Sequence, residues 1–258
     1  MDASAPAQHR SRAFKGDATR RFAAWAHSYD RSILNFLLFR PSYLTLLEEL
    51  HAWQADHARR CRVLDIGCGT GSFAGLVAVA GLDADVVGLD FVPQMCVRAR
   101  GKLPIGTDSV RFLAGDSEHL PFADASFDLV TCSNSFHHYP HQQAVVHEFR
   151  RVLAPGGRVV LIDGFRDNVI GWVVFDVAVA RIEGHVHHAP WRRIDAYFRD
   201  AGLTEIRRRK FNLLFPAVAT IGSAPALQGA GPPGGGSDAE AGTVRDPKPP
   251  LSRKVLAG

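Results

Sequence analysis

The stretch Val63 to Gly71, Val-Leu-Asp-Ile-Gly-Cys-Gly-Thr-Gly, constrains this chain most. An apolar run of one strand's length passes straight into three glycines spaced two apart, and then into a helical pattern. Glycine reaches φ > 0 without the penalty that a Cβ brings, and it lets a ligand come close to main-chain N–H groups. The helix that follows adds the positive end of its dipole. Strand, glycine turn and helix in that order read as a cofactor cradle.

Strand and helix patterns alternate from there. Strands are expected at Arg62 to Ile66, Asp85 to Asp90, Val110 to Ala114, Phe127 to Ser133 and Arg158 to Asp163. Helices are expected at Ser72 to Ala80, Pro93 to Lys102 and Gln142 to Leu153. The strands are apolar on both faces, as in a parallel sheet covered by helices on both sides, so the fold class is α/β and doubly wound. A helical block from Phe22 to Leu50, with a break expected at Pro41, packs on the sheet edge or lies over the pocket as a lid. After Asp163 come an apolar helical segment from Asn168 to Ile182, a loop with His185, His187 and His188, and a helix from about Pro190 to Ala201. Two late strands, Leu203 to Phe211 and Leu214 to Gly222, stand too close for a crossover helix and must pair antiparallel. Residues 1–21 read as a flexible basic arm, 22–222 as the folded domain with 164–190 as an insert, and the Gly- and Pro-rich 223–258 as a disordered tail.

Charge and cysteine usage exclude several classes. A net charge of +4 and a pI near 9.0 do not by themselves argue for nucleic acid. The basic run Arg207 to Lys210 lies on a strand, where side chains alternate faces, so it reads as an exposed edge face and not as one compact patch. Cys61, Cys68, Cys96 and Cys132 have no CxxC spacing, which suggests neither a disulfide framework nor a zinc site and suits a reducing cytoplasm. No metal is expected, since the loop histidines lack carboxylate company. The longest apolar runs, Ile33 to Leu38 and Val169 to Ile182, fall short of a membrane span or carry Gly171 and Asp176. The first 21 residues lack the apolar core of a secretory signal.

In an open parallel sheet, ligands bind beyond the carboxyl ends of the strands, where the winding reverses. Asp65 to Gly71 follows the first strand. Asp90, nineteen residues past Gly71, ends the second at a spacing that suits the hydroxyls of a ribose. Gly115-Asp116-Ser117 follows the third, where a carboxylate could accept from an adenine amino group. Cys132-Ser133-Asn134-Ser135-Phe136-His137-His138-Tyr139 ends the fourth. Glycine spacing alone leaves a dinucleotide open, because Gly69 to Ala74 also satisfies G-x-G-x-x-[G/A].

The joint pattern is more specific: the glycine turn, Asp90, Gly-Asp-Ser-Glu-His-Leu-Pro-Phe, Phe-Asp-Leu-Val-Thr-Cys-Ser-Asn-Ser-Phe-His-His, and Arg-Val-Leu-Ala-Pro-Gly-Gly-Arg-Val-Val-Leu-Ile-Asp. From about Arg20 to Ser223 the chain resembles the class I S-adenosylmethionine-dependent methyltransferases, especially the branch with quinone-biosynthesis and natural-product enzymes. The resemblance implies a seven-stranded sheet of order 3-2-1-4-5-7-6 with one antiparallel strand. It implies that Asp65, Gly67, Cys68, Gly69 and Gly71 hold the methionine end of S-adenosyl-L-methionine and Asp90 the ribose. Phe91 and Met95 then pack near the adenine, Asp116 and Ser117 bond it, and Ser133 lies under the sulfonium. Tyr29 helps close the site, while Phe136 and the segment holding Trp172 wall the acceptor pocket. His137, His138 and Tyr139 are the best-placed groups to take a proton from the acceptor, with pocket architecture as their other reading. The expected reaction is methyl transfer to O, C or N of a small, largely apolar molecule, without nucleic acid or integral membrane contact. The alternatives are a non-catalytic binder of the cofactor and an enzyme acting on RNA or protein.

Overall fold

Strands β1 (Cys61–Ile66) and β4 (Phe127–Ser133) are buried along nearly their whole length, because helices cover them on both sides. In the computed structural model, residues 33–164, 189–211 and 216–226 are described, with side chains from 39 onward. Around β1 and β4 lie β2 (Ala84–Asp90), β3 (Val110–Ala114), β5 (Leu153–Gly164), β6 (Thr204–Phe211) and β7 (Ala217–Ser223), in the order β3-β2-β1-β4-β5-β7-β6. Strands β1 to β5 pair parallel, and β7 runs antiparallel between β5 and β6. The order and the late antiparallel pairing are those expected from the sequence.

The two faces of the sheet divide the core by the two-residue period of a strand. On one face Val63, Val86, Val160 and Ile221 meet helices α1 (Ile33–His57), α2 (Ser72–Val79) and α3 (Pro93–Lys102). On the other, Leu64, Val130 and Leu161 meet α4 (Gln142–Val152) and α5 (Trp191–Asp200). No helix links β3 to β4. The loop between them is held by α4, where Arg151 donates to the carbonyls of Leu120 (3.0 Å) and Phe122 (2.8 Å), and Glu148 accepts the Leu120 N–H (2.8 Å).

Helix α1 departs from the expected break, since it runs through Pro41 to His57. An interior proline costs roughly 3 kcal/mol through a lost hydrogen bond and a clash. Against this, Leu46, Leu50 and Trp53 are almost wholly buried, each worth about 1.5–3 kcal/mol. These residues lay α1 across the face of the sheet.

Strand β5 begins at Leu153, five residues before the expected Arg158, and Phe127 pairs with Leu153 across a register shift. Ala224 donates to the Gly157 carbonyl (2.9 Å) and accepts from Gly156 (3.1 Å). Ser223 and Ala224, read from the sequence as the start of the tail, therefore belong to the folded unit. The basic run of β6 is paired within the chain. Arg207 donates to Glu49 and Arg209 to Glu48, both on α1, while Arg208 donates to Asp195 of α5 and lies 4.1 Å from the centre of the Trp191 ring. Among the described residues, no helix is long and apolar enough to cross a membrane.

Candidate active site

The glycine turn is suspended from β2. The Leu89 carbonyl accepts from the N–H groups of Gly67 (2.8 Å) and Cys68 (3.1 Å). Asp90 accepts from Gly69 N through one oxygen and from Val92 N through the other, both at 2.8 Å. The three glycines all have positive φ, yet they serve different ends. A Cβ on Gly67 would lie 2.2 Å from Ser135 Oγ, and one on Gly71 would lie 2.6 Å from the Phe112 ring, so both are closed against protein. A Cβ on Gly69 would meet nothing within 4 Å. Gly69 is thus the glycine of the turn that faces open space.

Two carboxylates lie beside the turn. Asp65, 4% exposed, makes one hydrogen bond among the described residues, accepting from Thr131 Oγ1 at 2.8 Å. Burial pushes its carboxyl up to about 7, the Thr131 bond works against this, and the charge of Asp90 adds to it. Burial also raises Asp90, against the bonds from Val92 and Gly69. A buried carboxylate bonded only to a hydroxyl is suited to a cation. The Cys96 thiol and burial hold the Cys68 thiol well above its ordinary value, which keeps it protonated and fits a small space-filler.

The tip of β4 is fastened to β5 and to α1. Asn134, at φ +53, donates to Ser133 Oγ (2.9 Å) and to Ser42 Oγ of α1 (3.2 Å), and its N–H bonds Ile162 O (2.8 Å). A 3-10 turn, Phe136–His138, follows. Phe136 is wholly buried, edge-on to Tyr139. The Tyr139 hydroxyl lies 3.0 Å from Ser135 Oγ and 3.9 Å from Cys132 Sγ, beneath Gly67. Burial raises this phenol well above its usual range, so it stays protonated at neutral pH. His137 and His138 lie ring to ring, 4.1 Å between centres.

On the adenine side of the expected cradle, Phe91 after β2 and Leu113 on β3 are 42% and 41% exposed, unusual for large apolar groups at strand ends. Met95 is buried on α3, Ser117 is buried in the loop after β3, and Asp116 accepts from Glu118 N at 3.0 Å. Asp116, Glu118 and His119 bring possible ligand atoms within 4.8 Å of one another, an acidic turn that needs no ion to explain it. Tyr29, Trp172, the segment Asn168 to Ile182, His185, His187, His188, the arm 1–21 and residues 227–258 lie outside the described residues.

Three partners of this site were missed in the sequence. Thr131 is a core strand residue with no local mark. Lys102, at the end of α3, donates to Thr70 of the turn at 2.9 Å. Asp163, at the end of β5, accepts from His137 Nδ1 at 2.6 Å, and its position at a strand end was the available signal.

Known proteins agree with this geometry. Residues 64–161 match the model of a methyltransferase domain. A demethylmenaquinone methyltransferase of Deinococcus radiodurans is 40% identical over 150 residues, covering 58% of this chain and 61% of that protein. A malonyl-[acyl-carrier protein] O-methyltransferase of Methylococcus capsulatus is 33% identical over 165 residues, covering 62% and 58%. The chain thus spans about six-tenths of the length of these curated relatives. The crystal structure of an S-adenosylmethionine-dependent methyltransferase from Aquifex aeolicus superposes with a TM-score of 0.59 over 78% of this chain and 97% of that one, and at 19% identity this likeness shows the fold. Residues 64–161 are thus similar to a methyltransferase domain, within a sheet whose strand order is the one that the resemblance implies.

Proposed function

We propose that this chain transfers a methyl group from S-adenosylmethionine to a small, largely apolar acceptor that gives up a proton from O, C or N. The observation that carries this reading is the turn itself: Gly69 is open to a ligand while its neighbours are closed, with the buried Asp65 and Asp90 on either side. The residues fit the cofactor. Asp65 supplies the buried negative charge that the α-ammonium of its methionine end requires, and Asp90 retains lone pairs for ribose hydroxyls beyond its two backbone bonds. Phe91 and Leu113 offer apolar surface for the adenine, and Met95, Asp116, Ser117 and Ser133 would take the roles that the resemblance implies.

When bound, S-adenosylmethionine supplies an electrophilic sulfonium methyl group. The chain's part is then to orient the acceptor in line and to exclude water. The names of the relatives support acceptors with an acidic carbon or oxygen. The four free cysteines support a reducing, cytoplasmic setting. Pairing of Arg207, Arg208 and Arg209 with acidic residues supports a small acceptor over RNA.

The test is incubation of the purified chain with methyl-labelled S-adenosylmethionine and 1,4-naphthoquinol, followed by mass spectrometry. A labelled, singly methylated naphthoquinol together with S-adenosylhomocysteine is expected. Label appearing only on tRNA or protein substrates would overturn the choice of acceptor.

A further inference from the structure

The glycine turn rests on one row of side chains of α3. A Cβ on Gly71 would lie 2.7 Å from the Ala99 methyl group, and Lys102 donates to Thr70 at 2.9 Å. Cys96 begins the same row, since residues three apart on a helix are neighbours. Opposite it stands Cys68 of the turn, whose thiol donates a hydrogen bond to the Cys96 sulfur. The two residues are 9% and 8% exposed and belong to one core cluster. A Cβ on Gly88 of β2 would lie 3.0 Å from Cys68 Sγ, so that sulfur is held between β2 and α3.

This contact sets the pair apart from the other two cysteines. Cys132 bonds the hydroxyl groups of Ser135 and Tyr139, Cys61 lies by Asp128, and burial pushes both thiols up to about 12. In the pair, the bond from Cys68 lowers Cys96 against the effect of burial, and the N–H groups of Asp90 and Cys96 add to it. The same bond, with burial, raises Cys68. A thiolate is the nucleophile toward oxidants, and a second thiol in contact with it is placed to resolve the product. The two sulfurs therefore divide the roles of attacking and resolving thiol between them.

We propose that Cys68 and Cys96 are an oxidation site, at which hydrogen peroxide closes a disulfide that shuts the cofactor cradle. That the cradle seats S-adenosylmethionine rests on the function put forward above. The Cys96 sulfur attacks one peroxide oxygen, the O–O bond breaks, a sulfenic acid forms, and the other oxygen leaves as hydroxide and takes a proton to become water. The Cys68 sulfur then attacks the sulfenic sulfur, the S–O bond breaks, and the departing hydroxyl takes the Cys68 proton as a second water. Two electrons pass from the thiols to the peroxide. Sulfurs in a disulfide stand only about 2.0 Å apart, closer than two hydrogen-bonded thiols, so Cys68 is drawn toward α3. Gly71 cannot follow, because Ala99 and Phe112 already close against it, and Gly67 is closed against Ser135. The distortion falls on Gly69, the open glycine, whose N–H is anchored on Asp90. A dithiol reductant returns the two electrons and becomes a disulfide itself.

The experiment treats the full, folded chain with a small excess of hydrogen peroxide, alkylates the remaining thiols on denaturation, and digests without reduction for mass spectrometry. Calorimetric titration with S-adenosylhomocysteine runs beside it. A peptide holding Cys68 is expected to be linked to one holding Cys96, while Cys61 and Cys132 are recovered alkylated. Oxidation should weaken S-adenosylhomocysteine binding by about tenfold or more, and dithiothreitol should restore it. Cys96→Ala should bind as tightly as the reduced wild type and lose nothing on treatment with peroxide. Absence of the linked peptide overturns the proposal, as does a linked chain that binds unchanged or a Cys96→Ala chain that peroxide still weakens. If Cys96→Ala does not fold, the wild type before and after peroxide still decides. Failure of the reduced wild type to bind S-adenosylhomocysteine strikes at the methyltransferase reading instead. The linked peptide is read by mass alone, which keeps the two failures distinguishable.

Discussion

Replacing Asp65 by Asn removes a charge that the fold buries at a cost. Burial raises the carboxyl from 3.8 to about 7 in the native protein, and the group returns to its ordinary value in the unfolded chain. Between those values the native state holds a proton that the unfolded state has lost, so stability falls as pH rises through the window. Above about pH 7 both states are ionised and the whole cost stands, about 4 kcal/mol. Asparagine has the same shape and can still accept from Thr131. Measured by urea unfolding, its stability advantage over the wild type should therefore grow by about 3 kcal/mol between near pH 5 and near pH 8. The same substitution should weaken binding of S-adenosylhomocysteine, whose ammonium loses its partner. Wild-type binding below pH 7 should release a proton, seen as a dependence of the calorimetric enthalpy on the buffer. An advantage that does not change with pH would refute the raised carboxyl and with it the reason for a cation at that place.

The two glycines of the turn should separate cleanly. Gly67→Ala should fail to fold or lose several kcal/mol, since its Cβ meets Ser135, whereas Gly69→Ala should cost only the ~1 kcal/mol of a left-handed alanine and abolish ligand binding. Thermal melts with and without S-adenosylhomocysteine check both. At the opposite end of the strands, Asp128 is buried, and the bonds from Arg62 and Arg59 outweigh that burial and hold its carboxyl well below the carboxylate range. Asp128→Asn should cost about 2 kcal/mol near pH 7, discounted because both arginines are half exposed, and nothing in strong acid, where the wild type has lost that stabilisation. Denaturation across pH checks the slope.

Much of this structure is legible in the chain because its signals are local and periodic. The strands from β1 to β5 stand out as apolar runs between turn residues, and the strand order follows the family pattern that those runs carry. Helix α1 was harder, since Pro41 is a local breaker and the burial of Leu46, Leu50 and Trp53 that outweighs it is a tertiary matter. The partners of the β6 arginines are equally remote, with Glu49 158 positions from Arg207. The site shows the same division. Asp65, the glycines and Asp90 are close in sequence or at a fixed spacing, whereas Thr131 and Asp163 act across 66 and 26 positions.

The most direct measurement is a calorimetric titration of the folded chain with S-adenosylhomocysteine, beside Asp90→Ala. Saturable binding by the wild type is expected, weakened by about 1.5–3 kcal/mol in the variant, which loses a charged acceptor and the anchor of Gly69. Absence of binding by a folded wild-type chain would contradict the claim that this turn holds the cofactor.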